Sequence, residues 1–211
     1  MQGRIPGPYP PDLTVFETMR AEADRSIRLW PLHLARLRRG CAAVGFSLDE
    51  TAVAQALASL PRGRPLRARL AIDAAGAVAL TQAPLPPSPP VWRVVISDER
   101  LRSDDPWLGI KSSQRAVYDR ARARLKPGAD EALLLNERGE LCEGTITSLF
   151  VAERGLLLTP PLSSGLLPGV LRESLLAAGR AREAVLSPAD LAGREVFCGN
   201  ALRGLIPAQL G

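Results

Sequence analysis

The sequence predicts an α+β protein of two domains. Short strand-like and helical segments follow one another in mixed order rather than in regular β-α-β repeats, and a length of 211 residues allows two small domains. The segment 83–90 carries five prolines in eight residues, which can continue neither a helix nor an interior strand. We therefore expect a small domain at residues 1–83, a proline-rich linker at 84–90 and a larger domain at 91–211.

The first predicted domain begins with an irregular arm at residues 1–12, which hold four prolines and two glycines. A strand at 13–19 follows, and a second strand at 26–30 is expected to pair with it as a hairpin. Apolar residues at three- and four-residue spacing predict a helix at 31–44 that Pro31 opens. The rest of this domain comprises a helix at 47–60, which starts with a capping-box sequence, and a hairpin of strands at 67–72 and 77–81.

The second predicted domain contains both strands and helices. The expected strands lie at 91–97, 131–135, 145–152, 156–158 and 195–198. The expected helices lie at 113–125, 168–178 and 187–190. A loop leads from the first of these strands to Lys111, and a turn follows the last one.

Composition and charge narrow the classes of function. The net charge is +5 and the isoelectric point is near 9.7, but acidic and basic residues are interspersed, so we expect no nucleic-acid partner and instead pockets for anionic small molecules. Three scattered cysteines and a single histidine favour neither a disulfide framework, a metal site nor a Ser-His-Asp triad. Without a leader-like N-terminus or an apolar run of about 18 residues, the expectation is a cytoplasmic protein with no membrane partner.

Lys111 is the strongest candidate for a catalytic residue. The chain has 27 basic residues, of which only Lys111 and Lys126 are lysines. An amine can lose its proton and form a Schiff base with a carbonyl, whereas a guanidinium stays protonated. Lys111 follows the apolar segment 107–110, whereas Lys126 lies in a turn beside Pro127 and Gly128. The residues alone leave two hypotheses open: Lys111 forms a Schiff base, or it is present by chance in an arginine-rich sequence.

Other segments carry groups that an anionic ligand bound to a lysine would need. Glu143 lies between two predicted strands beside a glycine, where its carboxylate can face a ligand; the alternative is an ordinary hairpin glutamate. A glycine before the next predicted helix exposes the amides of Val170 and Leu171, which suit a phosphate. Arg36, on the polar side of the first helix, is either a cation for that phosphate or a solvated residue. Arg203, in a turn, is either a partner for a substrate carboxylate or a surface residue.

The ordered set of motifs resembles that of a known family. The segments that carry the likeness are 16–20, 33–37, 109–111, 118–121, 130–136, 143–145, 167–169 and 200–204. They are similar to the motifs of the fold-type IV pyridoxal-phosphate enzymes, the class IV aminotransferase group that also contains 4-amino-4-deoxychorismate lyase. The resemblance covers residues 13–207. It implies a two-domain class IV aminotransferase-like fold with the cofactor between the domains, usually in a homodimer whose partner completes the pocket.

The resemblance also implies a role for each candidate residue. Lys111 would be the catalytic residue, which holds pyridoxal 5'-phosphate as a Schiff base and relays protons. Glu143 would pair with the pyridine nitrogen and Arg36 with the phosphate. Ala116 replaces a tyrosine that some transaminases place five residues after the lysine, and Tyr118 nearby has no assigned role. The other candidates are Val170, Leu171, Asn200 and Ala201 for the phosphate, and Arg203 and Thr145 for the substrate; no metal is expected.

Within the family, several details are similar to the lyase branch. These are the motifs around Lys111 and Asn200 and the segment 129–133, together with Leu171, which stands where many transaminases carry a hydroxyl residue. We therefore expect a 4-amino-4-deoxychorismate lyase of folate biosynthesis, which releases 4-aminobenzoate and pyruvate. The alternative is a class IV aminotransferase that acts on branched-chain or D-amino acids with 2-oxoglutarate. A third hypothesis is a non-enzymatic basic protein that binds an anionic partner.

Overall fold

The computed structural model describes residues 4–211, which form two compact units. The first unit comprises residues 4–87 and Ile110–Gln114, and the second comprises Ser88–Gly109 and Arg115–Gly211. The division after Pro87 falls within the proline-rich segment 84–90. Lys111 belongs to the first unit, although it lies in the stretch of sequence expected to form the second domain.

The first unit contains a three-stranded antiparallel sheet of β1 (Val15–Ala21), β2 (Leu66–Ile72) and β3 (Val78–Pro84), in that order. The predicted hairpin of β2 and β3 is confirmed. The predicted hairpin of β1 with residues 26–30 is confirmed only near its turn, where Ala21 forms a bridge with Ile27 and the Arg28 amide donates to the Arg20 carbonyl at 3.3 Å. A full second strand does not form, because helical conformation already begins at Trp30. On its other side β1 pairs along its whole length with β2.

Two helices belong to the same unit, α1 (Trp30–Val44) and α2 (Glu50–Ala58). The predicted bounds of α1 are confirmed to within one residue. α2 begins later than predicted, because its N-cap is Asp49 rather than Ser47. The Asp49 carboxylate accepts hydrogen bonds from the amides of Thr51 at 2.9 Å and Ala52 at 3.0 Å, which satisfies two of the unpaired donors at the start of the helix.

Residues 4–12 form no helix or strand, as predicted for the N-terminal arm; residues 1–3 of that prediction lie outside the described part of the chain. The arm is nevertheless anchored to the end of α1. The amide of the buried Ile5 donates to the Ala43 carbonyl at 2.8 Å. The Tyr9 ring meets Phe46 edge-on, with ring centroids 6.3 Å apart. Apolar and aromatic contacts thus hold this proline-rich segment in place.

The second unit is built on an eight-stranded sheet. Its strands are β4 (Trp92–Leu101), β5 (Glu131–Asn136), β6 (Leu141–Gly144), β7 (Ser148–Glu153), β8 (Leu156–Thr159), β9 (Ala181–Glu183), β10 (Val196–Asn200) and β11 (Gly204–Leu210). They lie in the order β10-β11-β4-β5-β6-β7-β8-β9, and β10 also pairs with β7. The strands from β10 to β7 therefore close into a ring, from which β8 and β9 extend.

The helices of the second unit are α3 (Ala116–Ala123) and α4 (Val170–Ala177), with short 3-10 helices at Pro106–Gly109, Leu162–Ser164 and Pro188–Leu191. α3 is shorter than the predicted helix at 113–125, because Ser112 and Ser113 pair with β1 instead. Among residues 4–211, no helix has the length and apolar character needed to cross a membrane.

The second unit contains strands that the sequence does not predict. The strand expected at 145–152 begins three residues later, as β7, because residues 145–147 form the turn that joins it to β6; the two strands pair through Glu143 and Ser148. β6, β9 and β11 are additional to the predicted strands. β11 contains Gly204 and Pro207, two residues that weaken a strand pattern in sequence, and pairing with β4 and β10 overrides that local preference.

The ring of strands encloses an aliphatic core. Its buried side chains include Leu133, Leu149, Val151, Cys198 and Ile206, which come from four different strands. β5 is buried along its entire length, as expected for a strand that is covered on both faces. The core therefore fixes the ends of β5, β6 and β10, where the polar residues described below are found.

We expect the three cysteines to be chemically inert in the native protein. All three are buried free thiols, and burial raises the pKa of Cys41 to about 11 and the pKa values of Cys142 and Cys198 to about 12. Because the thiolate is the reactive form, titration with an aromatic disulfide reagent at mildly alkaline pH should show slow reaction before unfolding and rapid reaction of all three thiols in denaturant. Equal rates in the two states would contradict this prediction.

Candidate active site

Lys111 is fixed by backbone pairing with the start of β1. The Phe16 amide donates to the Lys111 carbonyl at 2.9 Å, and the Ser113 amide donates to the Thr14 carbonyl at 2.9 Å. The Ser113 hydroxyl accepts in return from the Thr14 amide at 3.0 Å. The lysine therefore sits on a short strand-like segment whose position is set by β1 and not by the helix that follows it.

The amine of Lys111 lies over an aromatic ring. Its Nζ is 4.9 Å from the centroid of the buried Phe16 ring, and the Arg69 guanidinium carbon is 3.5 Å from the same centroid. Both distances are within the range of cation–π attraction. Lys111 is half-buried, whereas Lys126 is exposed. The two lysines thus differ in environment in the way that the sequence predicts.

Arg36 is buried, and its predicted position on the polar side of α1 is wrong. Only 6% of the residue is exposed, because Arg36 faces β1, where Glu17 supplies an opposite charge. Arg36 Nε donates to Glu17 Oε1 at 2.8 Å and Nη2 donates to Oε2 at 2.6 Å. His33, one turn earlier on the same face, places Nδ1 2.7 Å from Glu17 Oε2. A charged cluster therefore lies between α1 and β1.

Glu17 is ionised in this cluster. Burial alone would raise the pKa of its carboxyl, but the charge and hydrogen bonds of Arg36, together with His33, outweigh that effect and lower the pKa to about 2. An ionised carboxylate only accepts hydrogen bonds, so His33 Nδ1 carries the proton between them. Sequence reasoning gave Glu17 and His33 no site role. The available clue was an acidic residue within a strand of otherwise buried positions.

Glu143 ends β6 in a buried and oriented state. The residue is 5% exposed, and its Oε1 accepts hydrogen bonds from the Tyr118 hydroxyl at 2.7 Å and from the Leu167 amide at 3.0 Å. These donors come from α3 and from the segment that leads to α4. The alternative of an exposed hairpin glutamate is therefore wrong.

The turn after Glu143 is built around a second buried acid, Glu131. The fully buried Glu131 carboxylate accepts from the amides of Thr145 at 3.0 Å and Ile146 at 3.2 Å, and from the Thr147 hydroxyl at 2.9 Å. The Thr145 hydroxyl also donates to it, and the same hydroxyl oxygen accepts from Arg122 Nη1 at 2.9 Å. Thr145, expected to meet substrate, is thus committed to holding this turn, and sequence reasoning did not single out Glu131.

The start of α4 and the end of β10 lie together in the second unit. The first helical bond of α4 joins the Glu173 amide to the Gly169 carbonyl at 2.8 Å, so the amides of Val170 and Leu171 precede the helical ladder. A Cβ on Gly169 would lie 2.4 Å from Ser148 Oγ, and one on Gly199 would lie 2.8 Å from Leu171 Cδ2. Glycine at both positions permits this close approach.

Asn200 builds the turn between β10 and β11. Its Oδ1 accepts from the amides of Leu202 at 3.1 Å and Arg203 at 3.0 Å, and its Nδ2 donates to the Ile146 carbonyl at 3.1 Å. The side chain therefore fixes the backbone of the turn that contains Ala201. The Arg203 guanidinium carbon lies 5.4 Å from the Trp92 ring centroid, so Arg203 is a half-buried residue and not a fully solvated one.

Comparisons with known proteins agree on one family. A family model described as amino-transferase class IV matches residues 14–210. The crystal structure of a putative amino-acid aminotransferase from Mesorhizobium loti matches with a TM-score of 0.89 at 42% identity, covering 95% of this chain and 100% of that one. The structure of 4-amino-4-deoxychorismate lyase from Pseudomonas aeruginosa matches with a TM-score of 0.80 at 27% identity, covering 93% and 82%.

Curated relatives carry the same two descriptions. A putative aminodeoxychorismate lyase from Schizosaccharomyces pombe is 28% identical over 176 residues, which is 80% of this chain and 75% of that protein. A probable branched-chain-amino-acid aminotransferase from Thermotoga maritima is 36% identical over 53 residues, and this chain covers only 19% of its length.

The fold and these matches define an enzyme with the mixed α+β architecture of fold-type IV. The chain belongs to the class IV aminotransferase family, whose members use pyridoxal 5'-phosphate. This membership excludes the hypothesis of a non-enzymatic anion-binding protein.

The buried ion pair of Glu17 and Arg36 should stabilise the fold far more than an exposed pair of similar geometry. Glu17→Ala leaves Arg36 buried without its countercharge, and we expect a loss of about 3–5 kcal/mol of unfolding free energy. Glu50→Ala is the matched control, because Arg38 Nε and Nη2 each bond Glu50 at 2.6 Å while both side chains are about half exposed. Glu50→Ala should lose much less unfolding free energy than Glu17→Ala. Denaturant unfolding measures both, and equal losses would contradict the prediction.

The Glu17 carboxylate should make the free energy of unfolding depend on pH. The folded-state pKa of Glu17 is about 2, below the ordinary value of 4.5, so its contribution is complete above the ordinary value and is lost as the pH falls towards 2. The difference in unfolding free energy between the wild type and Glu17→Gln should therefore shrink over this interval. A difference that stays constant with pH would show that Glu17 is not held ionised by its neighbours.

Proposed function

We propose that the protein is a pyridoxal-phosphate-dependent 4-amino-4-deoxychorismate lyase, which converts its substrate into 4-aminobenzoate and pyruvate. The observation that carries the proposal is the anchoring of Lys111, whose carbonyl is bonded to β1 and whose amine lies over Phe16. Among the curated relatives, the match to a protein described as a lyase covers 80% of this chain, whereas the match to the Thermotoga maritima branched-chain aminotransferase covers 25%, and this difference supports the lyase reaction.

The described residues fit the cofactor group by group. Pyridoxal phosphate supplies an aldehyde that a lysine amine can bind, a pyridine ring that withdraws electrons from the substrate, and a phosphate. Lys111 is the amine in this proposal. Glu143 is the carboxylate that keeps the ring nitrogen protonated, and its two hydrogen-bond donors give it a defined orientation.

The phosphate would be held by backbone amides and one guanidinium. The amides of Val170 and Leu171 precede the ladder of α4, and amides at a helix start favour an anion. The Asn200–Ala201 turn, which follows Gly199 at the Leu171 side chain, would complete this phosphate site. Arg36 would supply the cation. Glu17 accepts hydrogen bonds from the Nε and Nη2 groups of Arg36, which fixes the plane of the guanidinium.

In the lyase reaction the protein's part is chiefly to move one proton. Lys111 Nζ takes the proton from the ring carbon that bears the substrate's amino group. The C–O bond to the enolpyruvyl group then breaks, the ring becomes aromatic, and the departing enolpyruvate takes up a proton to give pyruvate. Arg203 would bind a substrate carboxylate in this scheme, whereas Thr145 would act through the turn that it stabilises.

A second candidate is an aminotransferase that acts on branched-chain or D-amino acids. The 42% identity with the Mesorhizobium loti protein, described as a putative amino-acid aminotransferase, favours it. The residues proposed for the cofactor would be the same. Lys111 Nζ would then take the proton from the substrate carbon that bears the amino group, and no C–O bond would break.

The first experiment supplies the purified protein with pyridoxal phosphate and then with each substrate in turn. Release of 4-aminobenzoate and pyruvate in equal amounts from aminodeoxychorismate would support the lyase. Formation of glutamate from 2-oxoglutarate and an amino acid, without cleavage of aminodeoxychorismate, would make the protein an aminotransferase. Failure to develop the visible absorption band of a lysine-bound cofactor would contradict both.

Lys111→Ala and Lys111→Arg should each abolish that absorption band and the turnover of every substrate, because neither side chain offers an amine that can lose its proton. Circular dichroism should show that both variants remain folded, since the pairing of Lys111 with β1 is made by its backbone. Lys126→Ala, which alters the other lysine, is the control and should behave as the wild type. A full band in Lys111→Arg would remove Lys111 from the proposed role.

A further inference from the structure

Tyr118 is a buried residue that the proposed reaction does not use. It lies on α3 with 8% of its surface exposed. Its ring packs in a cluster with Leu134, Cys142 and Leu166, and the Arg115 guanidinium carbon lies 5.2 Å from the ring centroid. Packing on these sides fixes the ring, so the hydroxyl has one defined direction.

The hydroxyl points at the carboxylate of Glu143. The oxygens are 2.7 Å apart, and the Tyr118 O–H donates because an ionised carboxylate only accepts. The Leu167 amide donates to the same oxygen, Oε1, at 3.0 Å. Two donors from two different segments of the chain therefore converge on one oxygen of the residue proposed to face the pyridine nitrogen.

We propose that Tyr118 is a positioning residue that fixes the orientation of the Glu143 carboxylate and stabilises its negative charge. This inference rests on the proposed function, because it takes Glu143 as the partner of the cofactor's ring nitrogen. It also separates Tyr118 from the tyrosine that some transaminases place five residues after the lysine. The Tyr118 hydroxyl has one proton. It donates this proton in the hydrogen bond to Glu143 and therefore cannot donate it to the cofactor.

Electrostatics support the assignment of donor and acceptor. Burial raises the pKa of Tyr118 well above its ordinary value, and the charge and hydrogen-bond acceptance of Glu143 raise it further, with Arg115 opposing. Tyr118 is therefore protonated at neutral pH and can donate to Glu143. A hydrogen bond to the charged form of a carboxyl favours that form, so removing the hydroxyl shifts Glu143 towards the protonated carboxyl.

The pair can be tested without the cofactor. Unfolding equilibria of Tyr118→Phe, Glu143→Gln and the double variant form a cycle, in which bonded partners give effects that do not multiply. We expect the unfolding equilibrium constant of the double variant to differ from the product of the single effects by about tenfold or more, as for a hydrogen bond to a charged group. If the effects of the two single substitutions simply multiply in the double variant, the hydrogen bond between Tyr118 and Glu143 is contradicted.

Ultraviolet titration gives a second measurement of the same contact. Tyr9→Phe removes the other tyrosine, whose hydroxyl bonds the Ile5 carbonyl in the N-terminal arm, and so leaves Tyr118 as the only phenol. Its ionisation should occur at lower pH when Glu143→Gln is added, because a negative neighbour has been removed. An unchanged ionisation curve in folded protein would overturn the proposal.

The positioning role is then tested in the enzyme loaded with pyridoxal phosphate. Tyr118→Phe should lower kcat about ten- to a hundredfold, as for hydrogen-bonding partners that orient groups at metal sites, with KM and cofactor affinity close to the wild type. The acid limb of its pH–rate profile should move to higher pH, because Glu143 takes up a proton more readily. A purely structural role would not move that limb.

Tyr9→Phe is the control and should keep the wild-type rate and pH profile. An unchanged kcat and an unmoved acid limb in Tyr118→Phe would overturn the positioning role and leave the proposed function standing. If the wild type shows no visible band with pyridoxal phosphate, the proposed function fails and the positioning role fails with it. The unfolding cycle would then still decide whether Tyr118 and Glu143 are bonded.

Discussion

The pairing of residues 111–113 with the start of β1 is the constraint on which the rest of the first unit's chemistry depends. It brings a lysine from the middle of the chain onto a strand near its beginning, and it places the amine over Phe16. The same strand carries Glu17, which holds Arg36 on α1. One backbone ladder thus sets the position of an amine, an aromatic ring and a guanidinium at once.

In each of the two units a buried acidic residue holds neighbouring segments of the chain together. Glu17 and Glu131 are each fully buried and surrounded by donors, and neither is a residue that we assign to the cofactor or the substrate. A carboxylate in the interior is costly unless it is fully hydrogen-bonded. Once it is, it holds several separate segments in a single arrangement, which is what a site assembled from loops requires.

Local pattern was enough to predict α1 and the β2–β3 hairpin, because the periodicity of apolar residues is visible in the sequence itself. The rarity of lysine likewise singled out Lys111, whose catalytic role stays a prediction. The partner of β1 was not predictable in this way, since β2 begins more than forty residues later. Arg36 was misplaced because the charge that draws it inward lies on another element. The contacts of Glu131 and Tyr118 depend in the same way on segments that meet only in the folded chain.

The double pairing of β10 has a consequence for how the protein avoids association through its strands. A strand with an open side is a template for another chain, but β10 is paired on both sides, so the ring of the second unit presents no such side. The described sheet ends instead at β9, which has only three residues and carries Arg182 and Glu183. A short, charged terminus of this kind is a poor template for self-association.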